Sequence, residues 1–98
     1  MLNLDNFHKA FENKARLGIM SVLMVNDLVS FNELKELLEM TDGNLATHLK
    51  AIEKAKFLRV KKEFVDRKPK TTYEATSEGK IAFEAHLKVL EELIKNSL

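Results

Sequence analysis

Ser30 and Thr41 lie eleven residues apart, and each opens a stretch with the chemistry of a helix start. Ser30 and Glu33 have capping-box spacing: the hydroxyl accepts the N–H of Glu33, and the carboxylate reaches back to the N–H of Ser30. Val29 and Leu34 stand where a hydrophobic staple would. Leu34, Leu37 and Leu38 then give a one-sided apolar face about eight residues long. Thr41 or Asp42 caps the next helix, Asp42 being favourable to its dipole as well. Two starts this close leave room for one short helix and a tight turn before the second, which restricts the fold to helix-turn-helix arrangements.

The second of these helices is sharply two-faced. Leu45, Leu49 and Ile52 fall within about 60° on a wheel of 100° per residue. The opposite side carries Gly43, Asn44, Thr47, Lys50, Ala51 and Lys54, a face that is polar, cationic and low in bulk. From Phe57 the period drops to two. Leu58, Val60, Lys62 and Phe64 alternate with Arg59, Lys61 and Glu63, and after "VDRKPK" the stretch "TTYEA" resumes the alternation. This pattern predicts a β-hairpin with a basic tip, the pattern breaking at Pro69, which excludes a central strand there. Thr76 or Ser77 caps a final helix of about twenty residues. Upstream, Asn13 caps a helix to about Val25, apolar on most sides through Leu17, Ile19, Met20, Leu23 and Met24 and therefore central. Leu4, Phe7 and Phe11 fall at helical spacing and predict a further short helix.

The expected class is mainly α with a small β-hairpin (α+β), a winged helix-turn-helix in one domain over residues 1–98. The core is expected at 13–76, with terminal helices at 1–12 and 77–98. In the last helix Phe83, Leu87, Leu90 and Ile94 form one stripe and Ala82, His86, Val89 and Leu93 the adjacent one. Together they cover about half the circumference, more than docking on a small domain requires. With Leu4, Phe7 and Phe11 they predict a dimer contact, expected to be isologous.

Composition removes other classes. The chain has no cysteine, hence no disulfide framework, thiolate metal site or thiol nucleophile, which suits a cytoplasmic location. Its longest apolar run, "LGIMSVLMV", falls short of the ~20 residues of a membrane span and reads as a core helix. His8, His48 and His86 are scattered without the spacing of a metal site, so no metal and no cofactor are expected. Glycine-rich phosphate loops and nucleophile motifs are missing, so no enzyme is expected.

The net charge of +1 hides a division. Residues 43–75 hold nine cations against four anions, and the remainder seven against eleven. A basic middle between acidic flanks predicts a polyanionic partner on one face. A helix fits the major groove of duplex DNA, where amides and hydroxyls read base edges and cations hold phosphates. Asn44 and Thr47 are the candidate base contacts, and Lys50 and Lys54 the phosphate contacts. Gly43 and Ala51 would permit close approach, and Arg67, Lys68 and Lys70 would reach the backbone or the minor groove. His48 stands at the edge of the buried face, where packing against a backbone carbonyl competes with a DNA contact. The rival reading is a protein-interaction module whose basic surface docks an acidic partner.

In this order, "RLGIMSVL", "SFNELKELL", "TDGNLATHLKAIEKAKFL" and "DRKPKTTYEATSEGK" resemble the winged-helix domain of small MarR-like and ArsR-like transcriptional regulators over residues 13–83. The His48–Leu49 pair is frequent in such recognition helices, and the "TTYEATSEG" junction is similar to a "YxLTxxG" pattern; the order and gaps of all these pieces together carry the likeness. The resemblance implies a homodimer on a near-palindromic double-stranded DNA operator, joined through its terminal helices. It leaves any effector ligand unidentified. The sequence departs from the pattern at Ala46, Ala75 and Lys56, the last where glycine is common. A left-handed Lys56 would cost about 1 kcal/mol relative to glycine. The metal-sensing cysteines of ArsR-like proteins have no counterpart.

Overall fold

The structure, a computed structural model, describes residues 9–96. Leu4 and Phe7 lie outside the described residues. A 3-10 turn over Lys9–Phe11 precedes α1 (Lys14–Val25), β1 (Val29–Ser30), α2 (Phe31–Leu38), α3 (Asp42–Lys54), β2 (Leu58–Val65), β3 (Lys68–Ala75) and α4 (Ser77–Asn96). This is the winged-helix α+β architecture expected from the sequence.

Each helix begins at a cap that closes orphan backbone donors. Asn13 Oδ1 accepts the N–H of Ala15 at 2.7 Å, and Thr41 Oγ1 that of Asn44 at 3.3 Å. The capping box of α2 is complete: Glu33 N–H donates to Ser30 Oγ at 3.1 Å, and Ser30 N–H to Glu33 Oε1 at 3.2 Å. Those bonds from Ser30, more than the charge of Lys70, hold the Glu33 carboxyl below its ordinary range.

The ends of α2 and α3 share one device. Met40 N–H donates to Lys35 O and Glu39 N–H to Glu36 O; likewise Phe57 N–H donates to Ile52 O and Lys56 N–H to Glu53 O. These are Schellman turns, and their left-handed residues are Glu39 (φ 51°) and Lys56 (φ 67°) instead of glycine. None of the three glycines has a positive φ.

The sheet has three strands in the order β1-β3-β2, all antiparallel. The sequence showed only the hairpin. β1 is two residues long, too short for a period-two signal, and pairs Val29 with Tyr73 and Ser30 with Thr72. The pattern does not break at Pro69. The ladder runs from Leu58↔Ala75 through Phe64↔Pro69 to Val65↔Lys68, and the turn is only Asp66 and Arg67. Their φ values of 52° and 66° fit the twist-matched turn of a two-residue hairpin. Pro69 is tolerated because β1 reaches only Thr72 and Tyr73, so β3 has one neighbour at that point.

The core is built from Ile19, Met20 and Leu23 of α1, Leu34 of α2, Leu45, Leu49 and Ile52 of α3, and Leu58 and Tyr73 of the sheet. Full burial of each aliphatic side chain contributes about 1.5–3 kcal/mol. The 3-10 turn adds Phe11, which stacks on Phe57 at 5.5 Å and meets Phe83 edge-on at 5.4 Å.

These contacts divide the two stripes of α4. Phe11, Phe83, His86 and Val89, which the sequence grouped with the dimer contact, are buried within the protomer. Leu87 (47% exposed), Leu90 (37%) and Ile94 (78%) are accessible, and Leu93 is half-buried. An apolar arc read from sequence does not say which part its own chain covers. The molecule measures 56 × 25 × 21 Å, and its radius of gyration of 14.9 Å exceeds the ~13 Å of a compact chain this long. At 1.5 Å per residue, the 20-residue α4 alone is about 30 Å long.

Candidate nucleic-acid interface

The outward side of α3 is set by burial of the other side. With Leu45, Leu49 and Ile52 locked in the core, Gly43, Asn44, Thr47, Lys50 and Lys54 are exposed and Ala51 is half-exposed. A Cβ placed on Gly43 would meet nothing within 4 Å, so no neighbour in the fold requires glycine there. Thr47 Oγ donates to Gly43 O at 2.9 Å, one turn back along the helix. Its proton is therefore engaged, leaving the oxygen as an acceptor.

His48 is half-buried, and its partner is a side chain, not a backbone carbonyl: Arg16 Nε donates to His48 Nδ1 at 3.1 Å. Accepting there fixes the proton of the neutral ring on Nε2. The bond ties α3 to α1 across 32 residues of sequence, a distance no local motif spans. Asn44 and His48 border a cleft of about 550 Å³ with Asn13, Lys14, Leu38 and Met40. At the start of α3, Lys35 Nζ lies 2.8 Å from Asp42, clasping the turn from α2; an exposed pair of this kind contributes at most about 1 kcal/mol.

The hairpin, or wing, supplies the other cations. Every residue from 61 to 70 is exposed. At the root, Arg59 pairs with Glu74 at 2.9 Å, and Lys61 lies 3.9 Å from Glu63. Among the described residues, Lys50, Lys54, Lys56, Lys62, Arg67 and Lys68 have no carboxylate within ion-pair distance. Lys70 acts electrostatically on Glu33 at the start of α2. The positive charge counted in the sequence is thus largely unneutralised on α3 and along the wing.

The wing leaves α3 through the Schellman turn at Lys56 and enters α4 at one joint. Thr76 N–H donates to Phe57 O at 3.0 Å, Thr76 Oγ donates to Lys56 O at 2.7 Å, and the same oxygen accepts Gly79 N–H at 2.9 Å. Thr76 therefore caps α4 and fastens it to the end of α3. The sequence reading missed Arg16, whose partner is distant. It also missed Phe64, because alternation assigns it to the inward face without showing that the core ends before it.

Among the described residues no group of three or more His, Asp or Glu stands close enough to hold a metal ion. No helix there is long and apolar enough to cross a membrane.

The sequence pattern of a family described as "Winged helix DNA-binding domain" matches residues 15–94. An uncharacterized protein of Methanocaldococcus jannaschii, MJ0432, is 36% identical over 88 residues, which span 90% of this chain and 96% of that one. A transcriptional regulator homologue from Pyrococcus horikoshii has a similar structure, with a TM-score of 0.85 at 28% identity, covering 93% of this chain and 91% of that one. MepR of S. aureus, solved as a complex with DNA, superposes with a TM-score of 0.78 at 14% identity, covering 95% of this chain and 76% of the other, a likeness of fold.

Proposed function

This chain belongs to the winged helix DNA-binding domain family, and from that premise we propose that it is a transcriptional regulator that binds specific sites on double-stranded DNA as a homodimer. Helix α3 enters the major groove, and the wing lies on the adjacent backbone or minor groove. Residues 13–76 form the reading unit, and the C-terminal segment 77–98 carries the dimer contact through the accessible stripe Leu87, Leu90 and Ile94 of α4. Two copies present their α3 helices to half-sites about 34 Å apart, one turn of duplex.

The observation that carries this reading is the outward face of α3: small, polar and cationic, with its lysines unpaired while the opposite face is fully buried. Asn44 has an amide able to pair with the N6 and N7 of adenine. Thr47, its proton engaged, accepts from an exocyclic amine or meets a thymine methyl. Lys50, Lys54, Arg67, Lys68 and Lys70 bind phosphates. Gly43 and Ala51 admit the groove edge, and His48 is a positioning residue held by Arg16. The Pyrococcus horikoshii relative, a transcriptional regulator homologue, supports the same role.

The test is site selection from a random duplex library, followed by titration at several salt concentrations. Lys50→Ala, Lys54→Ala and Lys68→Ala are each expected to weaken all sequences alike and to reduce the slope of log K against log salt by about one. Asn44→Ala is expected to change the selected sequence. An unchanged selection for Asn44→Ala refutes its base-reading role. A wild-type protein that ignores duplex at low salt refutes the DNA reading and favours the acidic-partner module.

A further inference from the structure

Phe64 is 79% exposed and is the one exposed aromatic ring among the described residues. Its neighbour Val65 is 43% exposed. The fold does not need either group. On the inward face of the hairpin, the pairs Leu58↔Ala75 and Val60↔Tyr73 pack against the core, but the ladder continues two pairs further, through Lys62↔Thr71 to Phe64↔Pro69. Exposed hairpin ends are normally blunted with polar residues, because a bare apolar tip invites aggregation.

Phe64 also has a defined place in the ladder. Cross-strand pairs alternate between hydrogen-bonded and non-bonded, and in a two-residue hairpin the pair flanking the turn, here Val65↔Lys68, is of the bonded type. Phe64 therefore faces Pro69 in a non-bonded pair, the type with the closer side chains. Pro69 has almost no freedom to lose, and the turn below is two residues long. Lys62, Phe64, Pro69, Lys70 and Thr71 line a shallow hollow of about 240 Å³ together with Glu63. Its lining joins the apolar Phe64 and Pro69 to two lysines and one carboxylate, and Arg67 lies in the turn just beyond.

The ligand that matches an apolar ring flanked by unpaired cations has anions on both sides of an apolar wall. The minor groove of duplex DNA is such a surface: sugar faces form its walls and phosphates its rims. At about 6 Å wide it is too narrow for a two-stranded ribbon but admits one side chain at a time. An acidic protein surface would satisfy the lysines and leave the ring in water. We propose that Phe64 seats the wing in the minor groove, its ring against the deoxyribose wall, while Lys62 on the same face of the ribbon and Arg67 in the turn take the flanking phosphates. This rests on the DNA-binding reading above and adds to it a neutral, apolar contact. The guanine N2 amino group protrudes into the minor groove and obstructs such a ring, so the seat favours A·T pairs and their minor-groove mimic, I·C.

The chain has no tryptophan, so Phe64→Trp introduces a single indole reporter. Binding of a labelled mixed-sequence duplex of about three turns is followed by anisotropy at low salt, and indole emission and acrylamide quenching are read on the same samples. Saturation with duplex is expected to change the emission and lower acrylamide access several-fold, more on an alternating I·C duplex than on G·C. Phe64→Ala is expected to weaken binding about tenfold, as for one lost apolar contact, with the salt slope unchanged. Anisotropy that saturates while the indole stays as accessible as in the free protein overturns this inference alone. So does an indole signal that follows protein concentration without DNA, which places the ring between copies of the chain. No anisotropy change with the wild-type protein overturns the DNA reading and this inference together.

Discussion

Gly79→Ala sets two magnitudes of opposite sign against each other. Gly79 lies in the first turn of α4, and its φ is not positive, so alanine is locally welcome there. Propensity and unfolded-state entropy alone predict a gain of about 0.4–1 kcal/mol. The structure predicts a loss. A Cβ on Gly79 would stand 2.0 Å from Phe57 O, 2.8 Å from Phe57 C and 2.9 Å from its Cα, where carbon contacts normally begin near 3.5 Å. All three atoms are backbone, and that backbone is pinned. Phe57 N–H donates to Ile52 O, its carbonyl accepts from Thr76 N–H, and its ring is buried against Phe11. Helix α4 must therefore withdraw by about 1 Å or more, stretching both bonds that Thr76 makes to Lys56 and Phe57. Overpacking costs about 1–3 kcal/mol and each lost hydrogen bond about 1 kcal/mol. After the propensity gain the net loss is about 2–4 kcal/mol, a fall in Tm of roughly 10–25 °C for a domain of this size. Circular dichroism melts at one fixed protein concentration measure it, because association would raise Tm. Gly43→Ala is the internal control: the same change in a helix with nothing within 4 Å of the new Cβ, expected to be neutral or to stabilise by up to about 1 kcal/mol. A Gly79→Ala protein that melts at or above the wild-type temperature refutes the close approach of α4 to Phe57.

Lys56→Gly is expected to stabilise by about 1 kcal/mol and raise Tm by about 4–8 °C, since its φ of 67° suits glycine; an unchanged or lower Tm argues against the left-handed turn. Burial beside Phe11 and Phe83 pushes the His86 imidazole below its ordinary range. The unfolded chain then protonates first, so stability is full above about pH 6.5 and declines as pH falls from there toward the depressed folded value. Melts between pH 7 and 5 are expected to show that decline, and His86→Leu to remove its share of it. Leu87→Glu with Ile94→Glu places charge on the accessible stripe of α4 and is expected to leave the helix content intact while shifting sedimentation from dimer to monomer; a wild-type protein that sediments as a monomer refutes the proposed contact.

Capping chemistry was the part of the fold most legible in the sequence. Asn13, Ser30, Glu33, Thr41 and Thr76 act on backbone groups two or three residues away, so spacing reveals them, to within one residue at Thr41 or Asp42 and at Thr76 or Ser77. Helix ends were harder. Glu39 and Lys56 close α2 and α3 in left-handed conformations usually marked by glycine, while Gly18 and Gly79 serve close packing instead: a Cβ on Gly18 would press on Leu38 at 3.2 Å. β1 escaped notice because two residues hold no period, and Ser30 belongs at once to the strand and to the cap of α2. On the candidate site, the outward face of α3 followed from the wheel, because burial of Leu45, Leu49 and Ile52 leaves only one other side. The Arg16–His48 bond and the exposure of Phe64 depend on where distant elements stop, and periodicity carries no record of that.

The two-residue turn at the end of the wing makes its length a stepped quantity. Because Asp66 and Arg67 close the ladder directly on Val65↔Lys68, the hairpin grows smoothly only by whole rungs, each adding about 3.3 Å of reach. Inserting one residue instead creates a bulge or slips the register, which would turn Lys68 and Lys70 to the opposite side of the ribbon. Relatives with longer wings should therefore differ from this one by even numbers of residues, and odd insertions should carry a compensating kink.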